Sequence, residues 1–141
     1  LCVNLLFHLV QKTASILEDI NYDIEIAESH HKHKIDAPSG TTIMLGEFAS
    51  TGRKRNFDDI KVYDRTNKTS KRKTGEISFS VTRGGEIPGE HTVSFIGEND
   101  RIDLSHKALN RSIFVNGAIE AALFLSKKKV GLYYMEDIIK V

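Results

Sequence analysis

The sequence predicts an α+β domain: a mixed, largely antiparallel sheet with helices packed on one face. Three observations carry this. Residues 2–20 place apolar side chains at helical spacing. Several later segments alternate apolar and polar residues with a period of two, as half-buried strands do. The order helix, strand, helix, several strands, helix keeps most strands together instead of alternating strictly with helices.

The first helix is expected over residues 2–20, with a stripe of Cys2, Leu5, Leu6, Leu9, Val10, Thr13, Ile16, Leu17 and Ile20, and with Lys12, Glu18 and Asp19 off it. Asn21 ends it in a turn. A strand follows over residues 22–27, with Tyr22, Ile24 and Ile26 on one face and Asp23 and Glu25 on the other. After a polar connection, Ser39 or Thr41 caps a helix running through Met44, Leu45 and Phe48 to about Ser50. Ile60, Val62 and Tyr63 suggest a short strand, and residues 64–74 a mobile basic loop. Three strands then alternate: Ile77, Phe79, Val81; Val93, Phe95; Ile102, Leu104, His106. Gly84, Gly85 and Gly89 loosen the first connection and Gly97 the second, which predicts an antiparallel meander. A last long helix starts near Asn110, with Ile113, Phe114, Ala118, Ala121, Ala122 and Leu125 on one face. Residues 132–141 suggest a short terminal helix.

A chain of 141 residues is one domain by size and long enough to bury a core. Its formal net charge of +1 drives it toward neither nucleic acid nor membrane. The basic runs Arg53–Lys54–Arg55, Lys71–Arg72–Lys73 and Lys127–Lys128–Lys129 lack interleaved aromatic residues and read as solvated loops or helix ends. One cysteine, Cys2, excludes an internal disulfide and suggests a reducing compartment; it reads as a small core residue. The chain opens on Leu1, as a fragment or processed product would. Residues 1–10 are apolar but lack a basic flank and a small-residue cleavage site, so no signal peptide is read there.

Chemistry concentrates in residues 28–41, where three histidines (His30, His31, His33), Lys32, Lys34 and a capped helix start share one connection. Lysine and imidazole attract a carboxylate. The amides of Gly40 and Thr41, at a helix amino-terminus, also point at an anion. Three readings compete on these residues: an anion site with acid–base catalysis, a metal site, and a solvated loop without function. A metal would need a ligand from another segment, with His8, His91 and His106 as candidates. His91 and His106 lie on strand patterns and read as packed or cross-strand partners.

The run His30, His31, Lys34, Asp36–Ala37–Pro38–Ser39–Gly40–Thr41 resembles the signature of the dihydrodipicolinate reductases. The likeness continues through Tyr63, Arg65, Thr82, Arg83, Gly85, Ile87, Gly89–Glu90–His91–Thr92, Ser105–His106–Lys107–Ala108, Arg111, Phe114, Asn116–Gly117–Ala118 and Gly131–Leu132–Tyr133. The resemblance implies the substrate-binding and tetramerisation domain of a two-domain reductase. Such enzymes reduce 4-hydroxy-tetrahydrodipicolinate to tetrahydrodipicolinate with NADH or NADPH, in lysine and diaminopimelate biosynthesis. Carried over by position, His30 is the proton donor or acceptor and Lys34 the second donor. His31, Gly40 and Thr41 bind substrate, and Arg111 and Phe114 approach the nicotinamide end of the cofactor. The resemblance further implies a homotetramer formed through the sheet; the single cysteine fits a cytoplasmic setting, and the lysines flanking the histidines would repel a cation, so no resident metal is expected.

Members of that family carry a glycine-rich dinucleotide fingerprint in an amino-terminal domain. None occurs in this sequence, since Gly84–Gly85 lies between two strands. The nucleotide-binding domain is therefore expected to be missing, and this chain alone not to turn over. The rival readings are a non-catalytic assembly or anion-binding module that keeps the fold, and a metal-binding protein using His30, His31 and His33.

Overall fold

A computed structural model describes residues 1–139. Helix α1 (Cys2–Ile16) leads to strand β1 (Asp23–His30) and helix α2 (Gly40–Gly52). One helical turn, α3 (Phe57–Ile60), feeds the short strand β2 (Lys61–Val62). Strands β3 (Ile77–Arg83), β4 (Glu90–Ile96) and β5 (Arg101–Lys107) follow, then helices α4 (Ser112–Leu125) and α5 (Met135–Ile139). The expected terminal helix is thus present up to Ile139; Lys140 and Val141 lie outside the described residues.

The five strands form one mixed sheet in the order β2-β3-β1-β4-β5. Strand β1 is central, parallel to β3 and antiparallel to β4, and β4 pairs antiparallel with β5. This corrects the expected meander. Only β4 and β5 form a hairpin, because β1 sits between β3 and β4. The reason lies in burial: Ile24 and Ile26 are almost wholly buried and need a neighbour on each side, which an edge position cannot supply.

Registers stack the covered face in rows. The first row is Ile77, Ile24, Phe95 and Ile102; the second is Phe79, Ile26, Val93 and Leu104. Onto these rows α1 sets Leu6, Phe7, Val10 and Ala14, and α2 sets Leu45 and Ala49. The third row changes character, reading Val81, Glu28, His91 and His106; the fourth pairs Arg83 with His30. One end of the same face is therefore apolar core and the other a cluster of ionisable groups. The opposite face carries Glu25, Ala27, Ser78, Ser80, Thr92, Ser94, Asp103 and Ser105.

Several expectations shift. Helix α1 stops at Ile16, where Leu17 turns extended, so Ile20 lies in a turn and is exposed. Its buried face includes Phe7 and Ala14, which the stripe omitted, while Cys2, Leu5 and Leu9 face outward. Cys2 is therefore not a core residue. Gly52 lets α1 and α2 approach closely, since a Cβ there would crowd the Gln11 carbonyl and stand 2.8 Å from the Ala14 Cβ. The loop 64–74 is fastened down. Arg65 pairs with Glu76 and Ser78, and Arg72 with Asp23, Glu25, Ser78 and the Ile24 carbonyl. Helix α4 has no buried residue among those described, and its expected apolar face leaves Phe114 and Leu125 about half exposed. The sheet is already covered by α1 and α2, so α4 lies beyond it.

Candidate active site

Strand residues two apart share a face, so the phase that buries Ile24 and Ile26 also buries Glu28 and His30. A carboxylate in that position needs donors, because an unpaired buried charge is strongly unfavourable. Glu28 has three. Its Oε2 accepts from the Ser39 amide at 3.0 Å and from the Thr42 hydroxyl, and its Oε1 accepts from the Arg83 guanidinium at 2.7 Å. Burial by itself would push this carboxyl up. The hydrogen bonds from Ser39, Thr42 and Arg83 outweigh it and hold the group down at about 2.

Two imidazoles flank the same carboxylate. His30 Nδ1 stands 3.7 Å from Oε2, and His91 Nε2 stands 4.0 Å from it. The rings meet edge to face with centroids 5.1 Å apart, and His91 Nε2 lies 3.4 Å from the Ser39 hydroxyl. Burial lowers the pKa of His30, with Glu28 opposing and the charges of Lys34 and Arg83 adding to the fall. Burial, and then His30, push His91 down to about 4. Both rings are therefore predominantly neutral near pH 7.

Arg83 also closes the connection between β1 and α2. Besides Glu28 it donates to the Asp36 carbonyl at 2.6 Å and the Lys34 carbonyl at 3.3 Å. The Lys32 amide donates to the Gly85 carbonyl at 3.2 Å, and the Gly84 amide to the His30 carbonyl at 3.0 Å. The loop is thus bolted to the end of β3 by both backbone and side chain. Lys34 Nζ bonds Asp36 Oδ1 at 2.8 Å and stays partly exposed.

Ser39 is the N-cap of α2, accepting from the Thr42 amide at 3.3 Å. The amides of Gly40 and Thr41 open the helix without an intrahelical acceptor and lie at the positive end of its dipole. The space at Gly40 is open, since a Cβ there would meet nothing within 4 Å. Thr41 lines a cleft of about 410 Å³ with Phe7, Met44, Phe114 and Gly117. Across the loop, the Arg111 guanidinium lies 3.2 Å from His31 Nε2.

The residues singled out in the sequence are therefore gathered at one end of the sheet. His30 ends β1, His31 and Lys34 lie in the connection, Gly40 and Thr41 start α2, and Arg111 and Phe114 approach from the start of α4. His33 points into solvent, with its ring centroid 6.2 Å from that of His31 and its Nε2 3.9 Å from Glu86. The metal reading changes accordingly. The groups close enough to share a cation are Glu28, His30 and His91, not His30, His31 and His33. That set fits a cation poorly, because Arg83 already neutralises Glu28 and the Ser39 and Thr42 donors occupy Oε2.

Glu28 and Arg83 escaped the reading of local chemistry, while His91 is the packed, cross-strand histidine that its strand pattern suggested. The signal for Glu28 was present: it continues the buried phase of Ile24 and Ile26, and a carboxylate in an apolar phase must be paired. Its partners, however, lie 11, 14 and 55 residues away in the chain.

Residues 2–139 match the family described as dihydrodipicolinate reductase, C-terminus. A 4-hydroxy-tetrahydrodipicolinate reductase from Agrobacterium fabrum is 50% identical over 137 residues, covering 97% of this chain and 50% of the relative. The enzyme of that name from Caulobacter vibrioides is 49% identical, covering 97% of this chain and 53% of its own length. The chain thus spans about half the length of the curated relatives it matches. Among solved structures, a dipicolinate-bound dihydrodipicolinate reductase from Paenisporosarcina sp. TG-14 shares the fold. Its TM-score is 0.66 at 24% identity, over 96% of this chain and 52% of that one.

Proposed function

The chain belongs to the family of the dihydrodipicolinate reductase C-terminus, and from that premise we propose that it is the substrate-binding half of a 4-hydroxy-tetrahydrodipicolinate reductase. The reaction is reduction to tetrahydrodipicolinate, with loss of water, in lysine and diaminopimelate biosynthesis. The observation that carries this reading is the convergence of His30, Lys34 and the open amides of Gly40 and Thr41 at the end of β1. A small dicarboxylate placed there meets the Lys34 ammonium at one end and a helix amino-terminus at the other.

In this mechanism Gly40 and Thr41 hold one carboxylate through backbone amides and the threonine hydroxyl, and Lys34 attracts the other. NADH or NADPH, held chiefly by a dinucleotide-binding half outside these 141 residues, supplies a hydride when bound. Arg111 and Phe114 suit the nicotinamide end, since they flank the loop and the Thr41 cleft. The reduced ring also takes a proton, and His30 and Lys34 are the donors at hand. His30 is neutral at rest because it is buried. A dianion beside it raises its proton affinity, so substrate loads the donor it needs. His31, held beside Arg111, contacts the substrate.

Assembly as a homotetramer through the open face of the sheet fits the row of small polar residues Ser80, Ala27, Thr92 and Ser105. A cytoplasmic setting fits the single exposed thiol. No helix among the described residues is long and apolar enough to cross a membrane.

The test is calorimetric titration with pyridine-2,6-dicarboxylate, a planar analogue of the product. The chain is expected to bind, and an equally folded Lys34→Ala variant to bind at least about tenfold more weakly, from the ~1.5–3 kcal/mol of a charged hydrogen bond. Failure to bind in this chain, and again when it is joined to the nucleotide-binding half of the Agrobacterium fabrum relative, would overturn the proposal. A non-catalytic assembly module would then be the better reading.

A further inference from the structure

His30 has two ring nitrogens, and the structure distinguishes them. Nδ1 is buried, has no hydrogen-bond partner, and stands 3.7 Å from Glu28 Oε2. Nε2 lies on the side of Gly89, where a Cβ would come within 3.2 Å of it and 3.4 Å of Cδ2. Gly89 has φ +154, so the backbone itself favours glycine there. Glycine at this position leaves room beside the Nε2 edge of the ring, while Glu28 stands behind the Nδ1 edge.

Resting on the function proposed above, we propose that Glu28 is a positioning residue that holds His30 as its Nδ1–H tautomer, so that Nε2 is the nitrogen that exchanges a proton with substrate. An ionised carboxylate attracts an N–H and repels a lone pair, and Oε2 faces Nδ1 across a low-dielectric gap. The carboxylate cannot swing away, because Ser39, Thr42 and Arg83 hold both of its oxygens. Besides the Ser39 and Thr42 donors, the other titratable group facing Oε2 is His91, whose neutral ring brings no competing positive charge. The remaining titratable or charged groups acting on His30 are Lys34, Arg83 and His31; Arg83 is held by Glu28 and the loop carbonyls, and His31 lies beside Arg111. The arrangement matters because a free neutral imidazole favours the opposite tautomer, with its hydrogen on Nε2. In that form the outward nitrogen would be a donor at rest and could not accept a proton. With the hydrogen held on Nδ1, Nε2 offers a lone pair, takes up a proton from solvent when the dicarboxylate arrives, and delivers it to the reduced ring from the same atom, returning to the Nδ1–H form. Glu28 does not touch substrate in this scheme. It acts through His30 and, by its bonds to Ser39 and Thr42, sets the helix start that receives the carboxylate.

The test is a two-bond ¹H–¹⁵N correlation spectrum of the ¹⁵N-labelled 141-residue chain, recorded well above the histidine pKa, with and without pyridine-2,6-dicarboxylate. His30 is expected to show a protonated Nδ1 and a lone-pair Nε2. Glu28→Gln should lower that tautomer preference at least tenfold, and Glu28→Asp, which keeps the charge, should restore most of it. A purely structural role for Glu28 would change helix α2 without moving the tautomer. A wild-type His30 carrying its hydrogen on Nε2 would overturn the proposal without any variant, as would an unchanged preference in folded Glu28→Gln. The two readings also separate. Dicarboxylate bound beside an Nε2–H ring overturns the Glu28–His30 pairing alone. An Nδ1–H ring with no dicarboxylate binding, here or in the fused chain, overturns the proposed function.

Discussion

Acid should weaken this fold before it protonates the ordinary carboxylates, and His91 is the main cause. In the folded chain its pKa is pushed from 6.5 down to about 4, because the ring is buried behind Ser39 and beside His30. The unfolded chain therefore takes up the proton first. Stability is fully present above pH 6.5 and is lost as the pH falls from there toward 4. A pKa lowered from 6.5 to about 4 corresponds to a full loss of roughly 3 kcal/mol. Between pH 7.5 and 4.5 most of that is lost, roughly 2–3 kcal/mol, or about 1 M in urea midpoint for a denaturant slope near 2 kcal/mol/M. His30 and His106, both lowered by burial, add to the loss in the same direction. Glu28 contributes separately and lower. Its folded pKa is depressed to about 2 from 4.5, so its stabilisation is lost only as the pH falls from 4.5 toward 2. The assay is urea unfolding followed by far-ultraviolet circular dichroism at several pH values from 7.5 to 4.5, on the chain and on His91→Gln. The variant should lose most of the slope in that window. An equal slope in both proteins would refute the assignment to His91.

Two further outcomes follow from the packing. Arg83→Met leaves the buried Glu28 carboxylate without its guanidinium and should cost about 3–5 kcal/mol by denaturant unfolding. The double variant Glu28→Gln, Arg83→Met should recover part of that loss, and equal costs for single and double variants would argue against the pair as the cause. Gly52→Ala should destabilise by about 1–3 kcal/mol, because its Cβ would press on the Gln11 carbonyl and Ala14. A neutral effect in the same assay would mean that α1 and α2 can separate at little cost.

Where the chain's own periodicity dominates, the sequence was a sufficient guide. The α+β class, the start of strand β1 and the Ser39 cap of α2 could be read locally, because hydrophobic period and capping chemistry act over a few residues, but β1 runs on to His30, so Glu28 and His30 are strand residues and not part of the connection. The resemblance carried by His30, His31, Lys34 and residues 36–41 extended that reading to a family, which the match over residues 2–139 bears out. Reading failed where distance in the chain hides the partner. The basic loop 64–74 looked unrestrained, yet Arg72 reaches back to Asp23 and Glu25 on the central strand β1.

The sequence by itself determined which segments become helix and strand and which stretch concentrates the chemistry, since both follow from side-chain type and spacing. Only the tertiary structure decided that β1 enters between β3 and β4 rather than beside a meander, because that order depends on which strand must be buried on both sides. The same insertion sets Glu28 opposite His91 in register and within reach of Arg83. A buried carboxylate draws its partners from whatever the fold brings near, and no local pattern in the chain specifies them.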